Sequence, residues 1–469
     1  MVEPLVIMIV FTGIFVITYG LVALSEEKKL VTILAGAMVA IIAGLFLLVD
    51  VEYEGHTGPF VFERIFISEN YITWEVLVII TGMSLLVEAL NKSHVFDFIS
   101  INVIKLSKGK PTNLMFVVFY LTFSLSAILD NVTAMILVSS ITMTVCKGLD
   151  MNPIPYFFSA IFATVTAGLA TIVGSLPSIL IGNAAGMSFV SFLVVGLPLS
   201  IALSILQVLY FKFVFRKELE EASKKLIDIS ILEHLDAWAL VESKQNFYIS
   251  MGVIGLVILG FIGSGHDGFI NQLFGIEISI GLVAMICSIL LIILTRADLE
   301  KMVKRVHWDT VLFFIGLFVL VGTLDDAKVL QFVAEAVVEI SGGNILLLLI
   351  IIMVTGAVLS AFVSNIALSA AFIPVINTIL IDLGNSGVYS DVLLNQITFF
   401  TWWVLLAAVT FGGGFTPLGT APAVVAIGIL KEEGKSITFT GFMKLMAPLS
   451  LLMLVASFFY VLFFGMFFV

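Results

Sequence analysis

The stretch SLSAILDNVTAMILV, residues 124–138, sets an acid and an amide, Asp130 and Asn131, in the middle of an apolar run. Between Lys110 and Lys147, Asp130 is the one charged residue. In water this would be an odd core element. In a bilayer a carboxylate at such depth is expensive and marks a functional place by default.

Composition decides which solvent surrounds it. Of 469 residues, 60% are hydrophobic and 12% are charged, against roughly a quarter charged in ordinary globular domains. Mean hydropathy is +1.19. Apolar runs of roughly 18–25 residues recur, each long enough to cross a hydrocarbon core about 30 Å thick. The chain therefore reads as an all-α polytopic membrane protein, since a β-barrel would show weak period-two alternation in short segments. The net charge of −11 comes from no acidic block, and no nucleic-acid partner is expected. Cys146 and Cys287 lie in apolar runs without disulfide or metal spacing. Residues 4–24 lack a basic start and a small-residue cleavage site, so they read as a retained first helix.

The expected first half, 1–214, holds spans at 4–24, 30–49 and 72–90, a bent pair at 113–147, an interrupted helix at 154–182 and a span at 188–214. A charged amphipathic linker, 215–245, follows as a helical surface connector. The second half, 246–469, repeats the order with spans at 246–264, 277–295 and 308–324, a bent pair at 344–381, an interrupted helix at 392–430 and a span at 441–468. If both ends lie outside and each bent pair returns to its side of entry, all but Arg64 and Lys328 of the 22 lysines and arginines fall inside. That asymmetry is what the positive-inside rule demands. A single crossing at 113–147 would reverse every later loop and destroy it.

The halves repeat in sequence. Trp74 and Trp308 open WEVLVIITGMSLLVEAL and WDTVLFFIGLFVLVGTL, with Gly82 matching Gly316. At the same offset LSAILDNVTAM (125–135) faces LSAFVSNIALS (359–369), pairing Ser126 with Ser360 and Asn131 with Asn365. Further on, Gly174 and Pro177 correspond to Gly419 and Pro422. In the assumed topology the two bent pairs enter from opposite sides, and inverted repeats are a signature of secondary transporters.

Helical continuity breaks twice in each half, at the Asn-bearing turn and at the Gly-Pro interruption. Proline removes a donor and clashes with the preceding turn. Backbone freed this way is tolerated in a membrane only where protein or a wet cavity surrounds it. The two tips and two breaks are expected to meet near the midplane, where helix N-termini attract anionic groups and freed carbonyls coordinate Na⁺. The candidate set is Asp130, Asn131, Thr133, Gly174, Ser175, Ser178, Ser364, Asn365, Ser369, Thr416, Gly419 and Thr420. Asp130 reads equally as a helix cap and as a cation ligand or proton acceptor, two roles that can coexist, and Na⁺ is a candidate ion near Asp130, Asn131 and Asn365. No Lys or Arg is expected at the site, which favours cation-coupled transport or a substrate that is neutral or weakly charged. Glu88 is expected to pair at the interface beside Asn91 and Lys92, and Asp325 and Asp326 to stand in water. The five histidines fall in or near loops, and neither hydrolase nor Walker motifs occur. The chain is not expected to be an enzyme.

TGMSLLVEAL, LSAILDNVTAMILV, the G-x-x-P-x-I-L-I-G segment and TPLGTAPAVVAIG resemble the ion transporter superfamily over about residues 70–465. This superfamily includes arsenite permeases, NhaD-type Na⁺/H⁺ antiporters, the P protein and, more distantly, divalent-anion/Na⁺ symporters. The resemblance implies two inverted repeats, each with a re-entrant hairpin and a broken helix, usually dimeric and moving like an elevator. It implies that the tips at Asp130–Thr133 and Ser364–Ser369, with the breaks at Gly174–Ser178 and Gly419–Ala423, form the ion and substrate site. The symporters carry Ser-Asn-Thr at each tip, whereas this chain has Asp130-Asn131-Val132 and Ser364-Asn365-Ile366. In the antiporter and P-protein branch the second tip tends to read Asp-Asn, and an Asn usually stands where Ser178 and Ala423 stand here. The expectation is a secondary active transporter of a small inorganic ion or organic anion coupled to H⁺ or Na⁺, with Asp130 at the coupling ion and Asn131 and Asn365 at the substrate. Arsenite or Na⁺/H⁺ exchange is the narrower alternative, and an anion channel the alternative of another class. No cofactor is expected beyond the coupling ion. The expected partners are the lipid bilayer and the small ion or anion. The expected place is the plasma membrane, both termini extracytoplasmic and the linker cytoplasmic.

Overall fold

The computed structural model describes residues 4–24, 28–48, 51–53, 56–58, 65, 71–224, 236–266 and 268–468. Among these, ten helices are long and apolar enough to cross a membrane. The first half begins with α1 (Pro4–Leu24), α2 (Lys29–Leu47) and α3 (Trp74–Lys92). An amphipathic α4 (Val95–Lys105) leads into two helices, α5 (Pro111–Ser126) and α6 (Asn131–Gly148), joined by a turn at 127–130. Then come α7 (Ile154–Ala167), a break, α8 (Leu176–Ala184) and α9 (Phe189–Val214). In the linker α10 covers Arg216–Lys224, a 3₁₀ turn covers Ala237–Leu240, and positions 225–235, like Arg64, lie outside the described residues.

The second half holds α11 (Lys244–Gly263), α12 (Phe269–Phe274), α13 (Ile280–Thr295), α14 (Leu299–Arg305) and α15 (Trp308–Asp326). After α16 (Val329–Ser341), the second hairpin is α17 (Ile345–Ser360) and α18 (Asn365–Asn385). The second broken helix is α19 (Asp391–Gly413) and α20 (Ala421–Glu432), and α21 (Phe439–Phe468) closes the chain. A three-residue antiparallel pair, Val51–Tyr53 against His56–Gly58, decorates the loop after α2 and leaves the class all-α.

The repeat extends to backbone conformation. His94 before α4 and Lys328 before α16 are both left-handed, at φ 55° and 60°. Lys108 and Gly109 (φ 50°, 69°) match Gly342 and Gly343 (φ 57°, 75°). Even the last helices correspond, each with an internal proline, Pro198 and Pro448. The connecting helices α4, α14 and α16 were not anticipated from hydropathy, because each is too short to read as a span.

Helices in lipid gain little from burying apolar surface against one another, so small residues that let backbones approach set the pairing. The α3–α13 crossing shows this. A Cβ on Gly82 would sit 2.9 Å from the Met285 amide nitrogen, and one on Gly281 would sit 2.8 Å from that of Ile79. Helix α15 in turn lies on α2, with Gly316 against Ile33. The third span of each half thus pairs with the second span of the other, and this crossed frame is the scaffold. The hairpins and broken helices form a core built the same way. Arms α5 and α17 pack on α7 and α19 of their own halves, while α6 and α18 pack on α20 and α8 of the other. A Lys147–Glu433 ion pair at 2.6 Å ties the end of α6 to the end of α20.

Gly281→Leu is expected to destabilise the scaffold by roughly 1–3 kcal/mol through backbone overpacking. Gly255→Leu, where nothing lies within 4 Å, should leave the thermal midpoint of the purified protein unchanged.

Candidate functional site

Each hairpin arm and each broken helix ends at membrane depth and leaves orphan carbonyls. Side-chain hydroxyls satisfy them. Thr171 Oγ1 in the first break donates to the carbonyl of Ala127, the residue that ends α5, at 2.6 Å. Its repeat mate Thr416 donates to Ala361, which ends α17. Ser178 Oγ donates to Gly168, which ends α7, and Ser360 Oγ donates to Val409 at 2.6 Å. Each tip is thereby fastened to its own break. Gly419 permits the fit in the second half, since a Cβ there would meet the Gly413 carbonyl at 2.4 Å.

The four helices that restart after these turns, α6, α8, α18 and α20, begin on one cavity of about 350 Å³. Its wall includes Asp130, Asn131, Ser175, Asn365 and Thr420. Five of the anticipated residues therefore meet there, although they come from four separate segments. Asp130 caps α6, one oxygen, Oδ1, accepting from Val132 and Thr133 amides at 3.0 Å each. Its Oδ2 makes no hydrogen bond among the described residues. Ser175 caps α8 by accepting from the Ser178 amide at 3.3 Å. Ser364 and Thr420, at the matching places in the second half, make no side-chain cap bond. The first pair of helix starts is closed by its own side chains, and the second pair is left open.

Asn131 reaches from tip to break. With the amide nitrogen turned inward it donates to the Gly174 carbonyl at 2.8 Å, Ser126 Oγ at 2.6 Å and the Thr164 carbonyl at 3.3 Å. With the oxygen turned inward it accepts from Ser126 Oγ at 2.6 Å and faces both carbonyls, so four oxygens converge. The nitrogen-inward orientation is the one that satisfies the amide, because the other sets its oxygen against two carbonyl oxygens.

The other anticipated residues stand outside the cavity wall. Thr133 contributes its backbone amide to Asp130, and Gly174 its carbonyl to the Asn131 cluster. Ser178, Thr416 and Gly419 are buried in the fastening. Ser369 bonds back to the Asn365 carbonyl at 2.8 Å, and Ser364 is exposed. Ser126 and Thr171 were missed, though Thr171 is the residue that the Gly174–Gly419 register sets against Thr416.

The scaffold supplies the opposite wall, with Lys29 from α2, Ser84 from α3, and His307, Asp309 and Thr310 from the start of α15. This corrects the expectation of no Lys or Arg at the site. Lys29 lies far from the hairpins in sequence and is brought in by the packing of α2 on α15. Glu88 is paired as expected, and its partner is Arg305 at 2.6 Å. Asp326 accepts from the Tyr71 hydroxyl at 2.6 Å rather than standing in water alone. A second cavity of about 790 Å³, lined by Trp74, Asn183, Asp325 and Asn377 among others, shares no residue with the first. Helices α8 and α18 divide the two. Ile179 and Ile366 face the first cavity, Leu180 and Ala370 the second.

Similarity to known proteins agrees with this geometry. The sequence profile described as "Citrate transporter" matches residues 19–385 and 273–468. A 46 kDa membrane protein of Mycobacterium leprae is 28% identical over 437 residues, 92% of each chain. The P protein of Mus musculus is 26% identical over 82% of this chain and 53% of its own length. The Alcanivorax borkumensis YdaH transporter, whose structure has an unusual topology, superposes with a TM-score of 0.61 at 13% identity, covering 93% of this chain and 97% of that one. The profile spans nearly the whole chain, the fold is that of a membrane transporter, and the chain belongs to the citrate transporter family.

Proposed function

We propose that this protein is a secondary active transporter that moves a small anion together with a cation, Na⁺ or H⁺. The observation that carries the reading is the convergence of four helix N-termini and Asp130 on one cavity. A helix N-terminus bears roughly half a positive charge and is a ready-made anion site. The two open starts, at α18 and α20, suit the anion. The first tip suits the cation, with the Asn131 oxygen cluster for Na⁺ and Asp130 Oδ2 for a proton. An anion brought out of water beside a cation avoids much of the desolvation cost that either would meet alone. The family description makes a carboxylate such as citrate the first substrate to test.

The first cavity opens among Lys29, His307 and Asp309, on the face that carries the basic loops, which the positive-inside rule assigns to the cytoplasm of the plasma membrane. That leaves both termini extracytoplasmic and this state inward-facing. Two cavities with no shared residue favour alternating access over a channel, which needs a continuous pore. The division into a glycine-packed scaffold and a fastened core suits an elevator-like displacement of the core.

In proteoliposomes, citrate is expected to accumulate above its equilibrium level under an imposed Na⁺ or pH gradient. Purely downhill flux, indifferent to both gradients, would instead favour the channel. Asp130→Asn keeps a good cap and removes the charge, so it should stay folded and lose the pH-gradient drive. Full drive in that variant would reduce Asp130 to its capping role. Ser126→Ala removes one oxygen from the Asn131 cluster and should raise the half-saturating Na⁺ concentration about ten-fold or more, as read from initial uptake rates.

A further inference from the structure

The scaffold wall of the first cavity carries a construction that the core site does not need. The segment before α15 is extended at Val306, with φ −57° and ψ 140°, so Arg305 and His307 share one side of it. They face α3 at positions one turn apart, Arg305 against Glu88 at 2.6 Å and His307 against Ser84. The Ser84 hydroxyl accepts the His307 backbone N–H at 3.2 Å and lies 3.2 Å from the ring's Nδ1. Having accepted the backbone proton, the hydroxyl is placed to give its own to Nδ1. A ring that accepts the Ser84 proton at Nδ1 carries its hydrogen on Nε2. Nε2 makes no hydrogen bond among the described residues, and His307 lines the cavity with Ser84, Thr310 and Lys29. Glu88 is held by Arg305, which leaves Asp309 and Asp130 as the carboxylates on the cavity wall.

We propose that His307, oriented by Ser84 and assisted by the Lys29 charge, is a scaffold-side contact for one carboxylate of the substrate, reached only when the core faces the basic side. Helix starts in the core carry only partial charges, so a multiply charged anion gains from a full cation and a ring N–H donor across the cavity. The volume, about 350 Å³, lies in the range of small-molecule sites. The inference deepens the transport reading and rests on it. It makes the two faces of the membrane unequal in affinity, because the scaffold does not travel with the core.

The test measures transport and binding with citrate as probe and inorganic phosphate as comparison. In oriented proteoliposomes, His307→Ala and Lys29→Gln should raise KM about ten-fold or more for citrate presented at the basic face. KM at the opposite face should be unchanged. His307→Gln, which keeps an N–H donor, should recover most of the loss. Equal KM changes at both faces, or none at either, would overturn the inference while leaving the carrier reading intact. If wild-type protein shows no uphill uptake, the carrier reading fails, and equilibrium binding to detergent-purified full chain still decides the wall. Weaker citrate binding in His307→Ala supports it. Equal dissociation constants, or no binding to the wild type, overturn it.

Discussion

A carbonyl exposed by a helix end inside a membrane has no water to turn to, and the architecture of this protein is organised around that constraint. Two hairpins and two interrupted helices each generate such carbonyls. The protein pairs them off locally, Thr171 with Ala127 and Thr416 with Ala361, so that every tip is locked to a break. Placing the ends of α5 and α7 together forces the starts of α6 and α8 together as well. The cavity is the space those starts enclose, and it exists because the breaks had to be satisfied.

The pseudo-symmetry is closer in backbone than in chemistry. Left-handed residues recur in register, as at His94 and Lys328, while the groups facing the cavity differ between halves. Asp130 and Ser175 close their helix starts; Ser364 and Thr420 do not. One tip is therefore electron-rich and the other keeps its N–H groups open. A symmetric pair of tips would attract the same charge twice. Unequal tips give a site with a cationic and an anionic end, which is what a carrier of an anion with a cation would require.

The scaffold is held by a different principle. Crossings such as α3–α13 depend on Gly82 and Gly281, where backbone meets backbone and no side chain can be added. Between scaffold and core a side chain bridges the gap, the Tyr19 hydroxyl donating to the Ala367 carbonyl at 2.8 Å. An apolar space of about 210 Å³ lies there too, between Met83, Leu129 and Val257. A rigid frame beside a separately fastened core is consistent with relative motion of the two.

Hydropathy, basic-loop asymmetry and the recurrence of Asn131 as Asn365 were enough to establish a helical membrane protein with two hairpins and two breaks. Those features depend on solvent and local backbone chemistry, which a linear chain displays. The same reasoning found Asp130, Ser175 and Thr420, because a polar residue at an interrupted helix start has few other uses. It also included Ser178 and Thr416, which are consumed in fastening, since a hydroxyl looks alike whether it faces a ligand or a carbonyl. Lys29, Ser84 and His307 were beyond its reach. Each lies at the end of, or within, an ordinary span, and only the crossed packing of α2, α3 and α15 carries them to the cavity that the hairpins make. The sequence by itself determined which segments bend and break, while the tertiary structure decided what stands opposite them, because scaffold and core meet through contacts between residues far apart in the chain.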